Sequence, residues 1–161
     1  FNYKHLYDFD LVIGVDIVLQ LIAPIYRNSE KFIFDWINQS LKGKGYLLLE
    51  LWDFEHILKQ IELFENNLKI WEDFPESDPW EFCLANIKKN KVSDIIWEKQ
   101  FLKRNSLERS SFTNILRPYS REKIKAILER NGFNCITEFN HWVSDEDTQK
   151  GEYIILAQTT I

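Results

Sequence analysis

The chain has 161 residues, of which 45% are hydrophobic and 28% charged, and a formal net charge of −5; this composition suits one soluble globular domain with a sizeable core. Its longest apolar stretches, Leu11 to Val15, Ile17 to Ile25 and Tyr46 to Trp52, are short and interrupted by Asp16, Gln20 and Glu50. That excludes a helical membrane span, no secretory signal is visible, and a cytosolic protein without a membrane partner is expected.

Asp10 to Val15 is a short apolar run rich in β-branched residues, the pattern of a strand covered on both faces. After a polar break at Tyr26 to Ser29, Ser29 is placed to cap a helix with Phe32, Ile33, Trp36, Ile37 and Leu41 on its apolar stripe, ended by Gly43 and Gly45. Tyr46 to Leu51 reads as a second buried strand, and strand, helix, strand predicts a right-handed parallel crossover. From Asp53 a second helix is expected, with Ile57, Leu58, Ile61, Phe64 and Leu68 on one stripe and an end near Pro75 and Pro79.

Between Trp80 and Pro118 the period shifts to two, which predicts an antiparallel meander of about three strands with turns near Lys88 to Lys91 and Arg104 to Glu108. Ser120 is a good helix N-cap, Glu122 suits the positive end of the dipole, and Ile124, Ile127 and Leu128 form the buried stripe. Gly132 is suited to a left-handed C-terminal cap. Two strands, roughly Cys135 to Val143 and Glu152 to Gln158, close the chain as a hairpin around the acidic loop Ser144 to Gly151. The fold class is therefore α/β, read as a single domain over residues 1–161 with residues 55–118 as an insertion on its substrate side.

Three stretches together resemble the C-terminal half of a class I S-adenosylmethionine-dependent methyltransferase. Phe9 to Ile22 is similar to that family's fourth strand and the turn after it, with its Phe-Asp-Leu-Val core. Leu41 to Glu50 is similar to the Leu-Lys-Pro-Gly-Gly turn into the fifth strand, with Lys44 replacing a glycine or proline. Tyr119 to Phe133 is similar to the late helix that ends in Gly-Phe before the hairpin. The resemblance implies a partial Rossmann-like sheet of two parallel strands plus a C-terminal antiparallel hairpin, S-adenosylmethionine as cofactor, and a small-molecule acceptor.

One departure from the family stands out. Its members hold the cofactor largely through a glycine turn after the first strand, where backbone must approach the ligand closely. Of the five glycines here, the only Gly-x-Gly, Gly43 to Gly45, lies between a helix and a strand. Three strands are expected to be missing, and the absence of methionine together with a start at Phe1 suggests truncation or processing. The strand at residues 11–15 should then need cover, from a missing N-terminal half or from a partner chain, because an open apolar edge is an aggregation hazard.

By resemblance, the turn Gly14, Val15, Asp16 and Ile17 lines the methionine end of the cofactor, while Asp16 serves equally well as a helix cap. Gln20, one turn on, reads as solvent-facing. Trp52, Asp53 and Phe54 end at the same sheet edge, where relatives contact substrate; Trp52 otherwise joins the core and Asp53 otherwise caps a helix. Tyr26 and Tyr119 can bond a substrate or pack with satisfied hydroxyls. No catalytic base is assigned, since transfer from a sulfonium to a nucleophilic acceptor draws much of its rate from alignment. His5, His56 and His141 show no metal or triad spacing, and Cys83 and Cys135 read as inert, so no metal is expected.

Two rival readings remain. One is a non-catalytic protein-interaction module that keeps half of the fold. The other is RNA binding or modification, since Lys88 to Arg130 holds twelve basic and five acidic residues; a solvated face accounts for that imbalance more simply, because charge alone specifies no partner.

Overall fold

The computed structural model describes residues 7–25, 28–140 and 152–160. In chain order the elements are β1 (Phe9–Gly14), α1 (Val18–Ile22), α2 (Ser29–Ser40), β2 (Leu41–Trp52), α3 (Glu55–Leu63), β3 (Leu68–Asp73), β4 (Trp80–Lys89), β5 (Ile95–Lys103), β6 (Arg109–Leu116), α4 (Arg121–Arg130), β7 (Phe133–Phe139) and β8 (Glu152–Thr159). They fall into two compact units, Phe1–Phe54 with Tyr119–Ile161, and Glu55–Pro118.

The first unit is built on a four-stranded sheet in the order β1-β2-β8-β7. β1 runs parallel to β2 with Gly14 opposite Leu49, β8 runs antiparallel to β2 with Tyr153 opposite Leu51, and β7 pairs antiparallel with β8. This is the expected α/β arrangement of two parallel strands followed by an antiparallel hairpin. Leu47, Leu49 and Leu51 on one face of β2 share a core with Leu19 of α1, Phe34 and Ile37 of α2, and Ile124, Ile127 and Leu128 of α4. Burying each such side chain stabilises the fold by roughly 1.5–3 kcal/mol. Strand alternation sends Tyr46, Leu48, Glu50 and Trp52 to the opposite face, where Leu11, Ile13 and Tyr46 are exposed.

Some boundaries differ from expectation, each for a local reason. β2 starts at Leu41 and includes Gly43 and Gly45, because Phe9 already pairs with Leu41. Ser29 does not cap α2. The N-cap is Asn28 in the left-handed region, and the Ser29 hydroxyl instead donates to the Ala23 carbonyl at 2.8 Å. Phe34 and Ile37 turn inward on α2, so Phe32 and Trp36, expected on its buried stripe, are exposed. α4 follows expectation: the Ser120 side chain accepts from the Lys123 N–H, and Gly132 adopts φ +80° after the helix, where a side chain would be strained.

The second unit is an antiparallel sheet in the order β3-β4-β5-β6 with α3 beside β4. The three strands expected between Trp80 and Pro118 are β4, β5 and β6; β3 joins the same sheet ahead of them, because α3 stops at Leu63 and not near Pro75. Glu65 and Asn66 take left-handed conformations, and Asn66 then mimics a peptide group, accepting from the Lys89 N–H at 2.6 Å and donating to its carbonyl at 3.1 Å. The chain re-enters the sheet, and Leu68 becomes a buried strand residue opposite Ile87. Phe64, expected on the helical stripe, is exposed. Arg104 fastens the loop between β3 and β4 by donating to the carbonyls of Phe74, Pro75, Asp78 and Trp80 at 3.1–3.3 Å. Among the described residues no helix is long and apolar enough to cross a membrane.

Candidate functional site

In open α/β sheets, ligands sit beyond the carboxyl ends of the parallel strands, which here are Gly14 of β1 and Trp52 of β2. Gly14 lets α1 come close to the sheet: a Cβ at that position would lie 2.9 Å from Leu49 Cδ2 and 3.2 Å from Val18 Cγ1. The turn that follows is strained. Asp16 and Ile17 are consecutive non-glycine residues with φ of 55° and 56°, a region that a β-branched residue such as Ile17 rarely enters. Strain of this kind costs about 1–3 kcal/mol per residue and persists only where its surroundings fix it.

Those surroundings come from β2. The Asp16 N–H donates to Glu50 Oε2 at 3.0 Å. Gln20 donates from Nε2 to the Trp52 carbonyl at 3.0 Å and accepts the Trp52 N–H on Oε1 at 2.9 Å, continuing the sheet past the last pairing of β1 with β2. Gln20 is wholly buried, which corrects the expectation that it faces solvent. Asp16 makes no side-chain cap on α1, whose N-cap is Ile17. Its carboxylate is exposed beside the strand end, and Val15 is exposed in the same turn.

The end of β2 carries the other residues singled out from the sequence. Phe54 is buried and Trp52 half-buried, with ring centroids 6.0 Å apart. Asp53 Oδ2 lies 3.7 Å from Arg121 Nε, and both side chains are about one-third exposed, at 32% and 35%. Arg121 also donates from both terminal nitrogens to Asn140 Oδ1 at 3.2 Å and lies 4.9 Å over the Tyr153 ring. The Tyr153 hydroxyl is buried with no hydrogen-bond partner among the described residues. Burial, reinforced by the Asp53 charge, raises its pKa above the usual tyrosine range, so it stays a neutral hydroxyl, able to donate or accept a hydrogen bond.

Tyr119 is buried and its hydroxyl donates to Glu30 Oε1 at 2.5 Å, tying the approach to α4 to α2. Tyr26 lies outside the described residues, as do His5, His141 and the acidic loop at residues 144–151. Arg121, Tyr153 and Glu50 were not singled out from the sequence. Arg121 reads there as an ordinary first-turn helix residue and Tyr153 as core, and only tertiary contact joins them to Asp53. No group of His, Cys, Asp or Glu able to hold a metal occurs among the described residues. Cys83 and Cys135 carry no disulfide, and burial raises the pKa of both thiols.

The basic stretch from Lys88 to Arg130 is extensively neutralised. Lys88 pairs with Glu98, Lys89 with Glu62, Lys103 with Glu108, Arg117 with Asp94, Arg121 with Asp53 and Lys125 with Glu138. Arg104 is turned onto backbone carbonyls.

No protein-family profile and no curated protein sequence matches the chain. Solved structures do. An S-adenosylmethionine-dependent methyltransferase from Clostridium acetobutylicum superposes with a TM-score of 0.73 at 15% identity, covering 99% of this chain and 61% of that one. A methyltransferase from Streptomyces caelestis gives 0.68 at 9% identity over 96% of this chain and 59% of its own. An amino pentose methyltransferase from Micromonospora echinaspora, with S-adenosylmethionine bound, gives 0.63 at 15% identity over 99% and 61%. The chain thus has the fold of part of a class I S-adenosylmethionine-dependent methyltransferase and spans about three fifths of the length of these structures.

Proposed function

We propose that this chain forms the acceptor side of an S-adenosylmethionine-dependent methyltransferase acting on a small molecule. The observation that carries the proposal is the locked edge itself: a strained turn at Gly14 to Ile17 fastened by Glu50 and Gln20 to the end of the neighbouring strand. A fold gains nothing for stability from two left-handed non-glycine residues there, whereas a rigid turn at a ligand-binding edge gains positional accuracy.

In this reading Gly14, Val15, Asp16 and Ile17 border the methionine end of S-adenosylmethionine. Trp52, Asp53 and Phe54 border the acceptor, Tyr26 remains a candidate by its sequence alone, and Tyr119 holds the surroundings through Glu30. The cofactor, when bound, supplies an electrophilic methyl group on sulfur. The chain's own residues orient the acceptor: Asp53 can accept a hydrogen bond from an amine or hydroxyl, and Arg121 beside it holds that carboxylate in place. An amino pentose, the substrate named for one structure of this fold, bears both groups. These residues fit only one end of the cofactor, since no described strand is followed by a glycine cradle for the adenosine. That part of the site is assigned to polypeptide pairing with β1.

Calorimetry with S-adenosylmethionine tests the division of the site. The 161-residue chain should bind weakly or not at all, and the complete gene product should bind tightly with loss of affinity on Asp16→Ala. Tight binding by the short chain alone would contradict this account.

A second reading has its own support, because the exposed β1 edge suits a non-catalytic module that recruits a partner by strand pairing. A complete gene product that binds a protein through β1 and no cofactor would favour it. The ion pairs along Lys88 to Arg130 leave the RNA reading with less unpaired charge to recommend it.

A further inference from the structure

One face of the sheet in the second unit carries a cluster of aromatic rings with a lysine standing among them. Residues paired across neighbouring strands project to the same side. The register sets Lys99 of β5 opposite Phe112 of β6, and Trp97 and Phe101 flank Lys99 on that side of β5. Phe101 and Phe112 stack with centroids 5.4 Å apart, and Trp80 and Phe74 lie 5.5 and 6.0 Å from Phe101. Phe112 is 45% exposed, while Trp97, Lys99 and Phe101 are half-buried.

The Lys99 ammonium is held as no other lysine of β4 and β5 is. Lys88, Lys89 and Lys103 each meet a carboxylate, of Glu98, Glu62 and Glu108. Lys99 Nζ stands instead 4.8 Å over the Trp97 ring and 6.0 Å from the centre of the Phe112 ring, and it makes no hydrogen bond or ion pair among the described residues. Ring faces attract a cation less strongly than a carboxylate does, and they replace only part of the water that half-burial removes. The charge therefore complements an anion that brings a flat apolar surface of its own. One ammonium among these rings matches one negative charge. A nucleic-acid strand calls for a row of cations as well as stacking rings, and the other three lysines of β4 and β5 are already paired.

We propose that this face binds a small planar aromatic carboxylate, its ring laid on the exposed Phe112 and its carboxylate received by Lys99 Nζ. Every residue of the site belongs to the second unit, so the proposal rests neither on methyl transfer nor on pairing at β1.

Equilibrium dialysis of the chain against naphthoate is the test. The parent should bind naphthoate saturably, Lys99→Met should weaken that binding by about tenfold or more through the loss of one charge-assisted hydrogen bond, and Lys99→Arg should retain it. Phe112→Ala should also weaken it, by removing the stacking surface. The neutral naphthalenemethanol should bind the parent more weakly than naphthoate does. That comparison needs no variant and stands whatever Lys99→Met does to folding. No saturable uptake of naphthoate, equal affinity of the parent for the two compounds, or equal affinity of parent and Lys99→Met for naphthoate would each overturn the proposal. So would an oligouridylate bound more tightly than naphthoate, which would assign the face to RNA. Naphthoate affinity that rises as the chain is diluted would overturn it too, because a second copy would then be covering the rings. None of these readouts involves cofactor, so failure here is distinguishable from failure of the methyltransferase reading.

Discussion

At the scale of single residues, the candidate site depends on polar side chains that stand in for missing backbone. Gln20 gives both halves of its amide to Trp52, so Gln20→Ala removes two hydrogen bonds and leaves a hole at a wholly buried position, and should cost about 2–4 kcal/mol in urea unfolding. Gln20→Leu, which restores volume but no hydrogen bond, should rescue little of that loss. Tyr153 is the opposite case. Its hydroxyl is buried without a partner among the described residues, so Tyr153→Phe should leave the chain's stability unchanged or raise it, by up to about 1 kcal/mol in the same measurement. A clear fall would mean that the hydroxyl has structural work to do. Neither role is legible in the sequence, because Gln20 on a five-residue helix reads as surface and its partner lies 32 positions away. The strain at Asp16 and Ile17 is equally silent, since no glycine or asparagine marks a left-handed turn there.

At the scale of elements, most of the first unit was readable because its signals are local. Val12 and Ile13 in a continuous apolar strand, Ser120 as a cap and Gly132 as a stop each act within a few residues. The second unit was harder: Leu68 continues the helical period of α3, and only the Asn66 pairing with Lys89 turns it into a strand. Arg104 shows how its loop is held instead. One planar guanidinium reaches four carbonyls, a geometry that a lysine ammonium cannot reproduce, so both Arg104→Ala and Arg104→Lys should destabilise this unit by about 1–3 kcal/mol in denaturant titrations. Acid should also weaken it. Hydrogen bonds from Lys88 and then Asn86 hold the Glu98 carboxyl below its ordinary value of 4.5. A carboxyl depressed by folding adds stability that is fully present above the unfolded pKa and is lost as pH falls through the folded one. The urea midpoint should therefore decline below about pH 4.5, and Glu98→Gln should flatten that decline.

At the scale of the whole molecule, the order β1-β2-β8-β7 leaves one parallel strand at an open border. Parallel strands are ordinarily interior, flanked on both sides and covered on both faces, yet Phe9, Leu11 and Ile13 along β1 are 40–55% exposed. This was legible in outline, because strand, helix, strand implies a crossover and the apolar run at residues 11–15 implies burial that its surroundings do not provide. The isolated chain should consequently self-associate through that border. Ile13→Lys tests the point cleanly, because the side chain is already 55% exposed and its replacement removes little buried surface. Light scattering should show apparent mass rising with concentration for the parent chain and staying near that of a monomer for Ile13→Lys, since a charge on an edge strand opposes pairing. Thermal melting of the two should agree within about 2 °C, as expected for an exposed substitution. Unchanged association in the variant would show that the border is not what draws the copies together, and would direct the search farther along the face that Ile13 shares with the exposed Tyr46 and Phe139.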